Sequence, residues 1–315
     1  MILERLARQD PRLYQIGALA SLLPYGMAFL HFDVSPPRVA LLIGSVLAAQ
    51  LLCSRLAGLP SVEVRSALIS GLSLCLLLRT NFPLLAVAAA FVTVASKFVL
   101  RWNGKHVFNP TNFGLVAMML LTDRVWVSPG QWGTTAFFAF LIACAGILVV
   151  RRAARSDVTL AFLGFYAVLL LARSAVLGEP LAIPLHRLQS GALLLFAFFM
   201  ISDPKTTPDS RLGRIFFAML VATGAAFVQF RLFRTNGLLW SLAFFSLLVP
   251  VLDWISPGLR YRWASPDAGV LHFPKGARHE PVPSTSLARI GPFPSRPSRP
   301  SVLRVLRGEG GHEAL

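Results

Sequence analysis

Long apolar runs divided by short polar breaks recur along most of the chain. Roughly 20 mainly apolar residues suffice to cross a bilayer, fewer for a half-helix enclosed by protein. On that basis the pattern predicts ten helical segments, at about 15–32, 38–54, 66–79, 82–100, 113–122, 134–150, 158–177, 188–202, 213–230 and 237–255. The third and fifth are short for a full crossing, and short or interrupted segments accompany sites at membrane depth. From about residue 258 the pattern stops. The stretch "GPFPSRPSRPSVLRVLRGEG" holds too little apolar surface to offset the entropy of ordering it. A transmembrane domain over 1–257 and a disordered, basic Pro/Ser/Arg-rich tail over 258–315 are therefore expected.

Composition agrees with an all-α polytopic membrane protein: 315 residues, 55% hydrophobic and 14% charged, with a mean hydropathy of +0.64. A net charge of +16 would suggest nucleic acid in a soluble chain. Here the arginines sit between apolar runs or in the tail, where they set topology and meet anionic lipid, so membrane lipid and not nucleic acid is the expected partner. With the N-terminus in the cytoplasm, that side carries fourteen Lys and Arg between the spans against seven on the other, and the tail adds nine. Both termini are expected inside, with an even number of spans. The charged lead "MILERLARQDPRL" precedes no clear cleavage site, so the first run is expected to stay as a membrane helix.

Several chemistries are disfavoured. Cys53, Cys75 and Cys144 are scattered and read as small buried packing residues; an iron–sulfur cluster would need four thiolates. His31, His106 and His186 fall at span ends or in loops, which argues against bis-His haem. No G-x-S-x-G, H-E-x-x-H or P-loop occurs. No catalytic residue or metal site is assigned.

Two polar breaks stand out, and both fall on the cytoplasmic side of this topology. In "SKFVLRWNGKHVFNPTNFG", residues 96–114, Pro110 pushes Asn109 out of the α region, so that Asn109 and Asn112 can offer amides from a turn. In "FAFFMISDPKTTPDSRLGR", residues 196–214, Asp203 precedes Pro204, a favoured helix start. Free N–H groups there, with Lys205, Thr206 and Thr207, would suit an anion such as phosphate.

Together these breaks resemble the RnfD/NqrB family, membrane subunits of redox-driven ion pumps. The segment "SKFVLRWNGKHVFNPTNFGL" is similar to the family's region ending in F-N-P-A. "SGALLLFAFFMISDPKTTPDSRLGR" is similar to its "GG-x-L-x-x-A-F-F-M-A-T-D-P-x-T-S-P-x-x-x-x-G-R". The resemblance spans about 60–255 and implies two inverted five-helix repeats of about ten transmembrane helices in the bacterial inner membrane. It also implies other subunits of an electron transport complex as partners, bound flavin (FMN or riboflavin), room for a second flavin or a quinone, and coupling to Na+ or H+ movement.

The chain departs from the family at two points. The "S-G-A-T" motif, whose threonine carries FMN through a phosphoester, is absent; "WVSPGQWGTTAFF" offers Thr134 and Thr135 as the nearest substitutes. The second-half glutamate expected near "RTNGLLWSLAFFSLLV" is missing too. Non-covalent flavin is thus expected between the breaks, with Arg101 or Lys205 supplying charge and Asn109, Pro110, Asn112, Asp203, Pro204, Thr206 and Thr207 around it. The alternative is a transporter or accessory protein that kept the fold without redox activity. On the redox reading the chain is expected to be at most a subunit of an oxidoreductase complex, since no NADH-binding motif is found in it.

Overall fold

The computed structural model describes residues 10–128, 136–261 and 270–272, and a helix forms in each of the ten apolar segments. The first half holds α1 (Pro11–Phe29), α2 (Pro36–Leu56), α3 (Val64–Leu77), α4 (Pro83–Val99) and α5 (Pro110–Leu121). The second holds α6 (Ala136–Arg152), α7 (Ser156–Leu177), α8 (Ala182–Leu188), α9 (Gly191–Leu195), α10 (Arg211–Phe230), α11 (Gly237–Ser246) and α12 (Val249–Ile255). A π-helical turn, Phe196–Met200, continues α9. Prolines open α1, α2, α4 and α5, where the missing N–H would have had no partner and the ring presets φ.

Ten helical segments are not ten full-length spans. Among the described residues, α2, α7 and α10 can each cross a membrane by length and composition; counting the bent pairs α8 with α9 and its π turn (44°) and α11 with α12 (50°) as one span each raises this to five. Helices α3, α4 and α5 are apolar but only 14, 17 and 12 residues long. The end of α3 shows how a short helix finishes inside protein. The chain turns extended at β2 (Leu78–Thr80), which pairs antiparallel with β5 (Val125–Val127). Arg79, 2% exposed, folds back to donate to the Cys75, Leu76 and Leu78 carbonyls, so acceptors orphaned at the helix end are satisfied without water.

The two halves pack alike. Helix α1 packs on α3, α2 on α4 and α4 on α5; α6 packs on α9 and its π turn, α7 on α10 and α10 on α11. The halves meet where α1 touches α6 and α5 touches α11. Equivalent crossings even use glycine in the same way, with the partners exchanged. A methyl on Gly114 of α5 would overlap Thr93 Oγ1 of α4, and one on Gly224 of α10 would stand 2.5 Å from Ser241 Oγ of α11. Small residues let membrane helices approach closely, and here they set the α4–α5 and α10–α11 crossings.

Short strands finish the breaks. β3 (Arg101–Trp102) and β4 (Lys105–His106) form a hairpin turned by Asn103 and Gly104 at φ 49° and 75°, the left-handed pair that a two-residue hairpin favours. β1 (Ser61–Glu63) pairs antiparallel with β6 (Val270–His272), so three residues inside the expected tail are strand; the rest from 262 onward lies outside the described residues. The three cysteines differ from expectation at one position: Cys75 is buried and Cys53 half-buried, but Cys144 is exposed on α6. On a membrane helix the outer surface meets lipid, where a thiol is no misfit.

Candidate functional site

The two breaks meet at one end of the bundle. Asn109 caps α5 by accepting from Asn112 N–H at 3.0 Å, while its own amide donates to the Met200 carbonyl at 3.3 Å and reaches Asp203 Oδ2 at 3.4 Å. One side chain thus starts a helix of the first half and ties it to the break of the second. Next to it lies a cavity of about 280 Å³. Its wall takes Ser66, Ser70 and Ser73 from one face of α3, Gln50 from α2 and Lys97 from α4, since residues three and four apart on a helix share a face. Arg101, His106 and Pro110 come from the first break and Phe199, Asp203 and Lys205 from the second.

Of the expected site residues, Arg101, Asn109, Pro110, Asp203 and Lys205 line this cavity. Asn112 does not: it is fully buried and donates at 3.1 Å to the Leu239 carbonyl, locking α5 to α11. Pro204, Thr206 and Thr207 form no anion cradle. No helix starts at Pro204; the segment is a turn built around Asp203. The Asp203 carboxylate accepts from Lys205 N–H at 3.0 Å, and its carbonyl accepts from the N–H groups of Thr206 and Thr207, both at 3.2 Å. The Thr206 hydroxyl also donates to that carbonyl. Thr207 Oγ1, on a residue 1% exposed, accepts from Arg155 Nε at 3.0 Å, and a second Arg155 nitrogen donates to the Pro204 carbonyl at 3.4 Å. The donors expected to be free for phosphate are used by the segment itself. The next helix begins at Arg211, capped by Ser210. Thr134 and Thr135 lie outside the described residues.

The cavity is electropositive. Lys97 Nζ donates to the Ser66 carbonyl at 2.9 Å and to its hydroxyl at 3.2 Å. The Arg101 guanidinium stands 5.9 Å above the Phe98 ring. Among the described residues, no carboxylate lies within ion-pairing distance of Lys97, Arg101 or Lys205. Glu63 in the same wall is held by Arg12, which also pairs with Asp10, itself bound by Arg65. Burial raises the Asp203 carboxyl above its ordinary range despite the Lys205 N–H and the nearby cations. His106 is pushed down to about 4, first by burial and then by Arg101, Lys97 and Lys205, so its imidazole is neutral at neutral pH. His106 Nδ1 and Gln50 Oε1 are buried acceptors with no partner among the described residues.

Sequence reasoning missed Lys97, Gln50, His106 and the three serines as site residues. The signals were there: a lysine closing the apolar run "AVAAAFVTVAS", and serines at i, i+4 and i+7 in "SALISGLS". Three further cavities among the described residues are larger, the smallest of them, about 330 Å³, an apolar groove between α1 and α6. One of about 520 Å³ lies between the β3–β4 hairpin and α12, where Lys105 already bridges Asp209 and Asp253. One of about 420 Å³ lies beside the start of α11, lined by Tyr166, Arg187, Gln229 and Asn236.

The model of the NQR2, RnfD, RnfE family matches residues 119–259, which includes the Asp203–Pro204 break and most of the second half. That stretch, a little under half of the chain, is similar to the RnfD/NqrB family. Similar relatives are RnfD-type subunits, named for an ion-translocating oxidoreductase complex. That of Psychromonas ingrahamii is 33% identical over 115 residues, 34% of this chain and 31% of the relative. That of Vibrio vulnificus is 27% identical over 131 residues, covering 42% and 36%, and that of Buchnera aphidicola 31% over 70 residues, covering 22% and 20%. The matched stretch thus spans between a fifth and just over a third of these relatives. The first break, which supplies Lys97, His106 and Asn109, precedes the part that the RnfD/NqrB model matches; the geometry joins it to the matched break.

Proposed function

We propose that this membrane protein is a subunit of a redox complex of the ion-translocating oxidoreductase kind, and that it holds FMN or riboflavin non-covalently in the cavity between the two breaks. The observation that carries this reading is the cavity itself: a polar, net-positive chamber at the end of the bundle, with unpartnered buried acceptors and an apolar Phe199 side. A flavin ring needs donors and acceptors along one edge and flat apolar contact on its faces. Lys97 and the serines supply donors, Gln50 Oε1 and His106 Nδ1 supply acceptors, and Phe199 and Phe98 supply rings. Arg101 and Lys205 carry charge suited to a phosphate. The volume, about 280 Å³, lies just below the about 300–1,000 Å³ typical of ligand pockets, which favours the ring system over a bulkier cofactor. A bound flavin would supply the electron chemistry, and the protein its position and electrostatics.

In this reading the chain sits in a bacterial inner membrane with both termini cytoplasmic, the cavity faces the cytoplasm, and the ten helical segments form two inverted five-helix repeats. The repeated packing of α1–α5 in α6–α11 supports that arrangement. Other subunits of the complex would bring and remove electrons, with a quinone as a candidate acceptor, and membrane lipid would surround the bundle. For ion movement, the family's second-half glutamate is missing from this chain. That absence, with the absent S-G-A-T, favours the second reading, a transporter or accessory protein on the same scaffold. An absorbance scan of the purified protein separates the two: flavin released on denaturation supports the first, and a colourless protein that takes up neither FMN nor riboflavin supports the second.

A further inference from the structure

The cavity wall holds one buried amine, Lys97, that shares the wall with Asp203 and Glu63 but forms no ion pair with either among the described residues. Lys97 is 4% exposed, and its ammonium has three donors. Two go to Ser66, and the third has no partner among the described residues. The charged groups around it are otherwise engaged or of the same sign. Glu63 is held by Arg12. Asp203 accepts from Lys205 N–H and lies beside the Asn109 amide. Arg101 and Lys205 are cations, and His106 is neutral. Cys53, on the neighbouring α2, is a half-buried thiol. Burying an ammonium costs several kcal/mol unless an opposite charge answers it. Hydrogen bonds to Ser66 alone would be met by a neutral amide. Arg101 and Lys205 are more exposed than Lys97 and suit a phosphate; Lys97 stands with Ser66, Ser70, Ser73 and Gln50, where a ring edge would fit.

We propose that Lys97 is the counter-charge for a ligand carrying delocalised negative charge, so that the cavity binds the reduced, negatively charged form of a flavin more tightly than the oxidised, neutral form. This rests on the flavin reading above. Two electrons from a low-potential carrier on a partner subunit and one proton from water, taken up at a ring nitrogen, leave the flavin with the single negative charge that Lys97 answers.

The test uses the full chain in nanodiscs, loaded with FMN or riboflavin and titrated with dithionite under spectroscopic control. In the wild type the bound flavin is expected to favour the reduced form by at least about tenfold over free flavin, a midpoint about 30 mV higher for two electrons. Lys97→Met should remove most of that preference, Lys97→Arg should keep it, and Lys97→Gln, which retains a donor for Ser66, should behave as Lys97→Met. A wild-type midpoint at or below that of free flavin overturns the proposal whether or not any variant folds. So does an unchanged midpoint in Lys97→Met or Lys97→Gln with flavin still bound, and in these cases the flavin reading stands. A wild-type protein that binds neither flavin overturns that reading and this proposal with it.

Discussion

The two polar breaks look alike in the sequence and use their polar groups differently. The first, from Lys97 to Asn109, turns a cation, a guanidinium, an imidazole and an amide toward a shared cavity. The second, from Ser202 to Ser210, folds on itself: Asp203 takes three backbone N–H groups, and Arg155 takes the Thr207 hydroxyl and the Pro204 carbonyl. Only Asp203 and Lys205 of that break reach the cavity wall. Near a membrane interior a turn must satisfy its own backbone, so a motif rich in donors can leave few of them for a ligand. The first break can turn outward because its backbone is already paired in the β3–β4 hairpin and capped at α5.

The sharpest way to break this comparison is at Asn109, the residue that belongs to both breaks. Asn109→Ala removes the α5 cap and the link to Met200 and Asp203, and should cost about 2–3 kcal/mol, a cap plus a buried hydrogen bond. Chemical unfolding in detergent measures it, and on the proposed flavin reading loss of flavin should accompany loss of stability. A cost below about 0.5 kcal/mol would mean that the breaks are held together elsewhere.

Acid should act through the first break. Because the His106 pKa falls from 6.5 unfolded to about 4 folded, its contribution to stability is fully present above pH 6.5 and is lost as the pH falls from 6.5 toward 4. The raised Asp203 works in the opposite direction, so the difference between wild type and His106→Gln is the quantity to follow. Its effect should be on the order of 1–3 kcal/mol, allowing for the partial exposure of the ring. Parallel thermal-unfolding curves for the two proteins across that range would remove His106 from the account.

In the second break, Arg155→Lys should cost about 1–2 kcal/mol, since an ammonium cannot bridge Thr207 Oγ1 and the Pro204 carbonyl as the planar fork does. Thr206→Val should have the smallest effect, about 1 kcal/mol or less for its hydroxyl bond to Asp203, with FMN affinity within about twofold of wild type. A large loss of FMN affinity in Thr206→Val at unchanged stability would restore the phosphate role that its geometry opposes.

Much of the fold was legible in the chain. The apolar runs placed a helix in every segment and the short third and fifth runs became the short α3 and α5, but α5 begins at Pro110, so Asn112, expected in a turn, stands in its first turn. Full-length spans were not legible, because apolar content does not say where a helix stops; Arg79 ends α3 by turning back on its own carbonyls. The site was half legible. Arg101, Asn109, Pro110, Asp203 and Lys205, named from their motifs, line the cavity. Thr206 and Thr207 were over-read, because which acceptor an N–H finds depends on how the turn closes, and Lys97 was passed over as the end of a greasy helix.

The sequence by itself determined where helices form and that two polar motifs interrupt them, because apolar periodicity, proline and caps act within a few residues along the chain. The tertiary structure alone decided which end of the bundle brings the motifs together, that Asp203 consumes the donors of its own turn, and that Lys97 shares a cavity wall with Asp203 and Glu63 without forming an ion pair to either among the described residues. Those are matters of contact between residues tens of positions apart, where hydrogen-bond partners and charge neighbours are chosen by packing.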